Sequence, residues 1–242
     1  MTLRKIGLAR VLSKQGYCSR SRASELIRGG KVTVNGALRR DPEYPVRIER
    51  DSIEVEGQKI ASEEKIYWML NKPRGLVTTS SDEMGRDTVY AILPPGLPWL
   101  GPVGRLDKAS EGLLLLTNDS EWAAKITAPE THLAKTYHVQ VKELVSDANL
   151  EAIRKGIKTE EGEVLSVKEI SVIRSGERNA WMQITLDEGK NRHIRRMLSA
   201  IEIEVLRLVR ITVGPLRLGD LAKGGSRELT AREKKEIDRA IS

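Results

Sequence analysis

A carboxylate with basic neighbours in a glycine-flanked loop is the feature of this sequence best suited to chemistry. In Gly101-Pro-Val-Gly-Arg-Leu-Asp-Lys-Ala-Ser-Glu-Gly-Leu-Leu-Leu-Leu-Thr-Asn-Asp119, Asp107 stands two residues after Arg105 and shortly before the apolar run Leu113 to Leu116. A carboxylate held on a loop by a rigid sheet, with cations beside it, can act as nucleophile or base. A loop Asp making a turn hydrogen bond fits the same spacing, and the local sequence does not choose between the two. Other chemistries find less support. His132, His138 and His193 are the only histidines and none falls in an HExxH pattern, which disfavours zinc catalysis. No Walker-type P-loop occurs, and no GxGxxG follows a strand. The single Cys18 excludes an internal disulfide, implies a reducing setting and reads as a buried structural thiol.

Several elements must position that aspartate. Tyr67 to Leu70 and Leu113 to Leu116 read as buried strands. Between Ala134 and Lys142, Tyr137, Val139 and Val141 alternate with Thr136, His138, Gln140 and Lys142, the period of a strand with one inward face. Met182, Ile184 and Leu186 repeat it. From Asn191 to Ile201 the period is helical, with Ile194, Met197, Leu198 and Ile201 as the apolar stripe and Arg192, Arg195 and Arg196 sharing another face. Thr230-Ala-Arg-Glu233 is a capping box opening a terminal helix. Gly162 and Gly176 read as turn residues. Without a regular βαβ rhythm, these elements predict an α+β domain with a mixed, mainly antiparallel sheet.

Charge divides the chain of 242 residues, whose formal net charge is +7. Residues 1–40 hold ten basic side chains and one acid, Glu25, so a basic module precedes a nearly neutral body. Concentrated positive charge attracts a polyanion with salt-dependent affinity, which points to nucleic acid. Within that module, Leu3, Ile6, Leu8, Val11 and Leu12 predict a first helix ending at Gly16, and Ser21 to Arg28 a second. Arg20, Arg22 and Arg28 lie on or beside this second helix, where guanidinium forks suit phosphate oxygens. Lys31-Val-Thr-Val-Asn-Gly36 then predicts a hairpin. The polar stretch Gly57 to Glu64 reads as a linker on which the module can swing, with the boundary near residue 62. No apolar run approaches the roughly 20 residues of a membrane-spanning helix. The start lacks the apolar stretch of a secretory signal, so a cytoplasmic location is expected.

Taken together, these segments resemble a family. GRLDKASEGLLLLTND looks like the GRLD motif and following strand of pseudouridine synthases, in the bacterial branch that modifies ribosomal RNA. Leu70-Asn-Lys-Pro-Arg-Gly75, Lys135-Thr-Tyr137 and Glu188-Gly-Lys-Asn-Arg-His-Ile-Arg-Arg-Met197 resemble that branch's other motifs. Val209 to Leu218 and Gly225 to Glu233 are similar to its closing segment, and Ser19 to Gly36 resembles the S4 RNA-binding module. The resemblance implies a pseudouridine synthase fold over residues 63–242, preceded by a small α/β S4-like RNA-binding domain over residues 1–62.

By position, the resemblance makes Asp107 the nucleophile that attacks the target uridine, whose base detaches, rotates and rejoins through carbon. Arg105 matches the arginine that engages RNA as the uridine is flipped out, Tyr137 the aromatic that stacks on the uracil, and Arg195 the partner of the catalytic carboxylate, a pairing Arg192 or Arg196 could take instead. Arg192 and Arg196 are otherwise expected on phosphates. Lys72 and Arg210 are placed with the RNA-binding residues and, with Leu208, line or brace the site. Arg4, Arg20, Arg22, Arg28 and Lys31 are expected to contact RNA from the N-terminal module. His193 departs from the Gln or Glu usual after the third-motif Arg192. The isomerisation implies no cofactor and no metal. Ribosomal RNA or a pre-ribosomal particle is the expected partner, with the large-subunit RNA favoured over the small and a monomeric enzyme. A non-catalytic ribosome-assembly factor on the same fold is the alternative; a Mg²⁺-dependent nuclease would need further carboxylates such as Asp119 and Asp187, each with a turn explanation.

Overall fold

The computed structural model describes residues 5–60, 64–79 and 85–242. Leu3, Arg4 and the expected boundary near residue 62 lie outside them. The N-terminal domain begins with a short strand β1 (Ile6–Gly7), which pairs with β4 (Pro45–Val46). That pairing delays the first helix, α1, to Leu8–Lys14, later than its apolar pattern predicts. Helix α2 (Arg20–Arg28) is capped by Ser19, whose hydroxyl accepts the Arg22 N–H at 3.1 Å. The expected hairpin follows as β2 (Val32–Val34) and β3 (Ala37–Arg39), joined by Asn35 and Gly36 at positive φ (54° and 75°). Strands β5 (Ile53–Val55) and β6 (Gln58–Lys59) extend the sheet to the order β3-β2-β5-β6. Residues read as linker therefore include the β5–β6 turn and an edge strand. Leu8, Leu12, Ile27, Val32 and Val46 close the core, and Cys18 is buried among them. Its burial pushes the thiol pKa up to about 11, against the opposing pull of Arg22.

The C-terminal domain is built on a nine-stranded sheet. Its strands are β7 (Tyr67–Lys72), β8 (Gly101–Val103), β9 (Glu111–Thr117), β10 (Lys135–Val141), β13 (Glu169–Ser175), β14 (Ala180–Leu186), β15 (Val205–Val213), β16 (Leu216–Arg217) and β17 (Ser226–Glu228). The path runs β13-β14-β10-β15-β9-β7-β17, with β8 on β9 and β16 on β15. Mixed and mainly antiparallel, it meets the expectation: β15 beside β9 is the one parallel pairing among the named strands of the described residues. Helices α3 (Ser120–Thr127), α4 (Asp147–Lys155), α5 (His193–Ser199) and α6 (Ala231–Ala240) and a two-stranded ribbon, β11 (Ile157–Lys158) with β12 (Val164–Leu165), complete the domain. Gly162 at the ribbon's turn has φ +83°.

Strand β9 explains the apolar run. Leu113 and Leu115 belong to the core beneath α3 and α6, whereas Leu114 and Leu116 belong to the core on the opposite face, so the strand is buried on both sides. Its first residues need special backbone. Gly112 has φ +101° and sits opposite Arg210 of β15 so closely that a Cβ would run into the Arg210 backbone.

The two domains touch at the far end of β9. Asn118, fully buried, accepts the Ile66 N–H (2.9 Å) and donates to the Glu64 carbonyl (2.7 Å). Lys65 Nζ donates to the Lys14 carbonyl at the end of α1 (2.8 Å), and Lys14 pairs with Glu121 of α3 (2.5 Å). The N-terminal domain thus contacts the α3 corner through Lys14.

Gly112→Ala is expected to cost at least about 2 kcal/mol, combining an unfavourable φ with a backbone clash. A urea unfolding midpoint equal to the wild type would show that β9 and β15 can part without penalty.

Candidate active site

Asp107 lies in the loop between β8 and β9, and the backbone of that loop is held residue by residue. The carbonyls of Leu106, Asp107, Lys108, Ala109 and Ser110 each accept a hydrogen bond from outside the loop. The donors are, in order, Thr78 Oγ1 (2.7 Å), Lys72 Nζ (3.1 Å), the Gly75 N–H (2.8 Å), an Arg195 guanidinium nitrogen (3.2 Å) and Lys72 Nζ again (2.8 Å). Leu106 is buried in the core on one side. Such a loop presents its carboxylate from a fixed backbone.

Lys72 corrects an expectation. It is fully buried, and its ammonium also donates to the Pro73 carbonyl at 3.1 Å. A side chain enclosed by three carbonyls has no face for RNA; it braces the loop from behind. Burial lowers its pKa to about 8, against the opposing pull of Asp107 and Glu111. Arg210 is likewise a wall: almost fully buried, its Nε donates to the Leu113 carbonyl at 2.7 Å.

In front of the loop opens a pocket of about 590 Å³. Asp107, Arg105, Tyr137, Leu208, Arg210 and Arg192 all line it, so the structure gathers the principal predicted residues in one place. Tyr137, half-buried, packs where two cores meet: Val139 and Val141 lie farther along its strand on one side, Leu106 and Leu114 on the other. Lys135 and Asp187 add a polar patch; burial and Arg210 hold the Lys135 pKa below its ordinary value, with Asp187 opposing.

The three arginines expected on one helix face diverge. Arg192 is not in the helix: it caps α5 in the left-handed region (φ 48°), and its guanidinium stands 3.7 Å from the Asp107 carboxylate. Arg195, the expected partner, instead donates to the Ala109 carbonyl and to the Val205 carbonyl (3.4 Å). Arg196 turns to the β11–β12 ribbon and is bound by Glu161 and by Glu163 (2.7 Å), which spends its charge. His193 is buried with Nε2 2.8 Å from the Ser166 carbonyl, so Nε2 carries the proton. Burial depresses its pKa, with Glu188 pulling the other way. This imidazole pins the start of α5 and with it Arg192.

On the N-terminal domain Arg20, Arg22, Arg28 and Lys31 are exposed. Arg22 pairs with Glu25 (3.0 Å) and Lys31 with Glu56 (2.6 Å), surface pairs weak enough to exchange for phosphate. Asp119 caps α3 through the Glu121 and Trp122 N–H groups, as its turn reading requires. No cluster of metal-ligating side chains occurs among the described residues, and none of their helices is long and apolar enough to cross a membrane. Sequence reasoning passed over Arg74, two residues beyond Lys72, and Glu111. Glu111 is buried yet kept below the usual carboxylate range: burial works against ionisation, but Arg207 binds it through two nitrogens (3.1 Å each) and Lys223 at 2.7 Å.

Replacing Lys72 by Met strips donors from three carbonyls and is expected to lower stability by about 1–3 kcal/mol. The Lys72 pKa in the fold lies below its unfolded value, so between about pH 8 and 10.5 the unfolded chain holds more protons. The wild-type advantage over Lys72→Met should therefore grow as pH rises through that window. Urea midpoints of both proteins at about pH 7 and about pH 9.5 check this; an advantage that stays flat or shrinks would mean Lys72 is not a cation held against burial.

Comparison with known proteins agrees with this architecture. The family described as RNA pseudouridylate synthase matches residues 66–200, and the S4 domain matches residues 6–53. The ribosomal large subunit pseudouridine synthase B of Bacillus subtilis is 38% identical over 95% of this chain and 94% of its own length. An uncharacterized RNA pseudouridine synthase of Aquifex aeolicus is 35% identical over 98% and 95%. A crystal structure of a pseudouridylate synthase, 30% identical, superposes with a TM-score of 0.68 over 96% of this chain and 99% of the other. A buried-cation loop presenting a carboxylate to a pocket, matched in sequence and fold across both domains, makes this chain a member of the RNA pseudouridylate synthase family, isomerases of RNA uridines, with an S4 domain at its N-terminal side.

Proposed function

We propose that this protein converts a uridine of large-subunit ribosomal RNA to pseudouridine, with Asp107 as the nucleophile. The observation that carries the reading is the placement of the Asp107 carboxylate, on a loop with five tethered carbonyls, in the same pocket as Tyr137 and Arg192. The choice of large-subunit RNA follows what the Bacillus subtilis relative acts on by its name.

A uridine within structured RNA must leave its stack to reach such a pocket. Arg105, exposed at the rim, is positioned to engage the RNA there, and Tyr137 offers the ring on which the uracil stacks. Attack by Asp107 at C1′ forms an Asp107–C1′ bond as the glycosidic N1–C1′ bond breaks and frees the base. The base rotates, C5 displaces the carboxylate as the C5–C1′ bond forms, and the proton lost from C5 is balanced by one gained at N1, which returns Asp107 to its starting state. No electron leaves the substrate, so the reaction itself calls for neither redox partner nor group donor. Arg192 supplies the cation facing Asp107, and buried Arg210 and Leu208 shape the wall. Arg20, Arg22, Arg28 and Lys31 on the S4 domain hold the RNA through its phosphates.

Carbodiimide mapping and primer extension of both ribosomal RNAs, from cells with and without this gene, should show one pseudouridine lost from the large-subunit RNA. Loss from the small-subunit RNA would move the substrate, and no loss would overturn the ribosomal reading. Complementation with Asp107→Asn should fail to restore the signal, with RNA affinity in gel shifts within about threefold of wild type, since the carboxylate is not a phosphate contact. Restoration by that variant would remove Asp107 from the chemistry.

A further inference from the structure

An imidazole is buried in the wall of the Asp107 pocket. His193 opens α5 and is 3% exposed. Its Nε2 lies 2.8 Å from the Ser166 carbonyl, in the connection between β12 and β13. Its Nδ1 has no hydrogen-bond partner and stands 3.7 Å from the Glu188 carboxylate. A carbonyl only accepts, so a neutral ring carries its one proton on Nε2. The charges nearest the ring are committed to one another. In the loop before α5, Lys190 is bound by Glu188 (3.0 Å) and by Glu163 of the ribbon (3.4 Å). On α5 itself, Arg196 is held by Glu163 (2.7 Å) and Glu161. Burial therefore decides the state of the ring and favours the neutral form, with Glu188 opposing.

The start of α5 lacks the usual fastening. Its N-cap, Arg192, is in the left-handed region and its side chain accepts nothing from the first N–H groups. The ion pairs of Lys190 are part-exposed and hold the loop weakly. The buried polar tie is the one from His193 to Ser166. Two residues on, Arg195 donates to the Ala109 carbonyl of the Asp107 loop. About half a turn of helix thus joins the Ser166 tie to the catalytic loop, and the loop from Glu188 to Arg192 lines the pocket.

We propose that His193 is a positioning residue for the isomerisation: as a neutral Nε2–H donor to Ser166 it sets the height of α5, and through Arg195 and the pocket wall it sets the Asp107 loop against the bound uridine. Misplacing reacting groups by a fraction of an ångström slows the chemical step, whereas RNA affinity, spread over many phosphate contacts, changes little. The inference rests on the reading that this chain isomerises an RNA uridine. If that reading fails, the wild-type protein releases no C5 hydrogen from any ribosomal transcript; if the positioning fails, the wild type turns over and the variants report it.

The test uses the full chain and an in vitro transcript of large-subunit ribosomal RNA tritiated at uridine C5, whose release under single-turnover conditions reads the chemical step. His193→Leu, which has no donor, should slow release about tenfold at saturating protein, with RNA affinity within about threefold of wild type. His193→Gln, whose amide can donate to Ser166, should stay within about threefold of the wild-type rate. Ile153→Ala, a cavity in the same core on α4, should lower the urea midpoint while the folded protein keeps its rate. In ¹⁵N spectra of the wild type at about pH 7, His193 should show a protonated Nε2 and a bare Nδ1. A wild-type rate in His193→Leu, a Gln variant as slow as Leu, an equal slowing in Ile153→Ala, or a proton on Nδ1 would each overturn the assignment. The spectrum needs no variant, so it decides even where His193→Leu does not fold.

Discussion

The active-site loop depends on one buried cation. Lys72 carries its ammonium into a space where water cannot reach it, a placement that costs free energy unless the N–H groups find acceptors. The acceptors are the carbonyls of Pro73, Asp107 and Ser110, and in meeting them the lysine ties the end of β7 to Asp107 and to the end of its loop. The dependence is mutual. Without the loop wrapped around it the ammonium would be unpaired, and without the lysine those carbonyls would face one another without donors. Gly75 and Arg195 take the two carbonyls between Asp107 and Ser110, and Thr78 takes the one before Asp107. A carboxylate on a loop is ordinarily the mobile part of a site; here the backbone beneath it is as fully bonded as a strand.

The sheet then fixes where that loop points. Strand β9 can lie at the centre because its residues are apolar on both faces, and it can lie parallel against β15 because Gly112 offers no side chain at the crossing. Glu111 stands at the same junction, buried, with Arg207 from β15 and Lys223 closing on it. Removing either cation would leave a buried charge only half compensated. Asp107 is therefore bounded by a lysine cage before β9 and an ion cluster at its start, so the strand and its loop form one piece with β7 and β15.

What the sequence made legible follows from what each signal measures. Alternation at Tyr137, Val139 and Val141 and the run from Leu113 to Leu116 report burial on a strand, and both strands stand where those patterns place them. The GRLD segment and Tyr137 meet in one pocket. The arginines after Gly189 were misread because a helical wheel assumes helical backbone, and Arg192 leaves it: its positive φ swings one guanidinium to Asp107 and breaks the common face. Lys72 is expected among the RNA-binding residues as well as bracing the site, and only the bracing fits the structure, because burial of an ammonium is visible only once its carbonyl partners, 35 and 38 positions away, are in place. The polar stretch after Gly57 hid strand β6 for a similar reason, since an exposed edge strand two residues long needs no apolar side chain.

The seating of the S4 domain bears on how recognition and chemistry are joined. A module on a free tether adds affinity through effective concentration alone and leaves the catalytic domain to find its own register. Here Asn118, the residue after β9, binds the chain entering the C-terminal domain at Glu64 and Ile66, and Lys65 and Glu121 reach across to Lys14. Gly16, at the end of α1, approaches Asn118 so closely that a Cβ would crowd the amide. The strand that presents Asp107 at one end thus meets the S4 domain at the other. Across that junction the arginines of α2 and Asp107 stand at two ends of one connected path, and on the proposed function an RNA held at both has to match both at once. On that proposed function, selectivity among uridines arises from the geometry of the docked RNA as much as from the pocket, because a pocket that accepts one flipped uracil accepts any other.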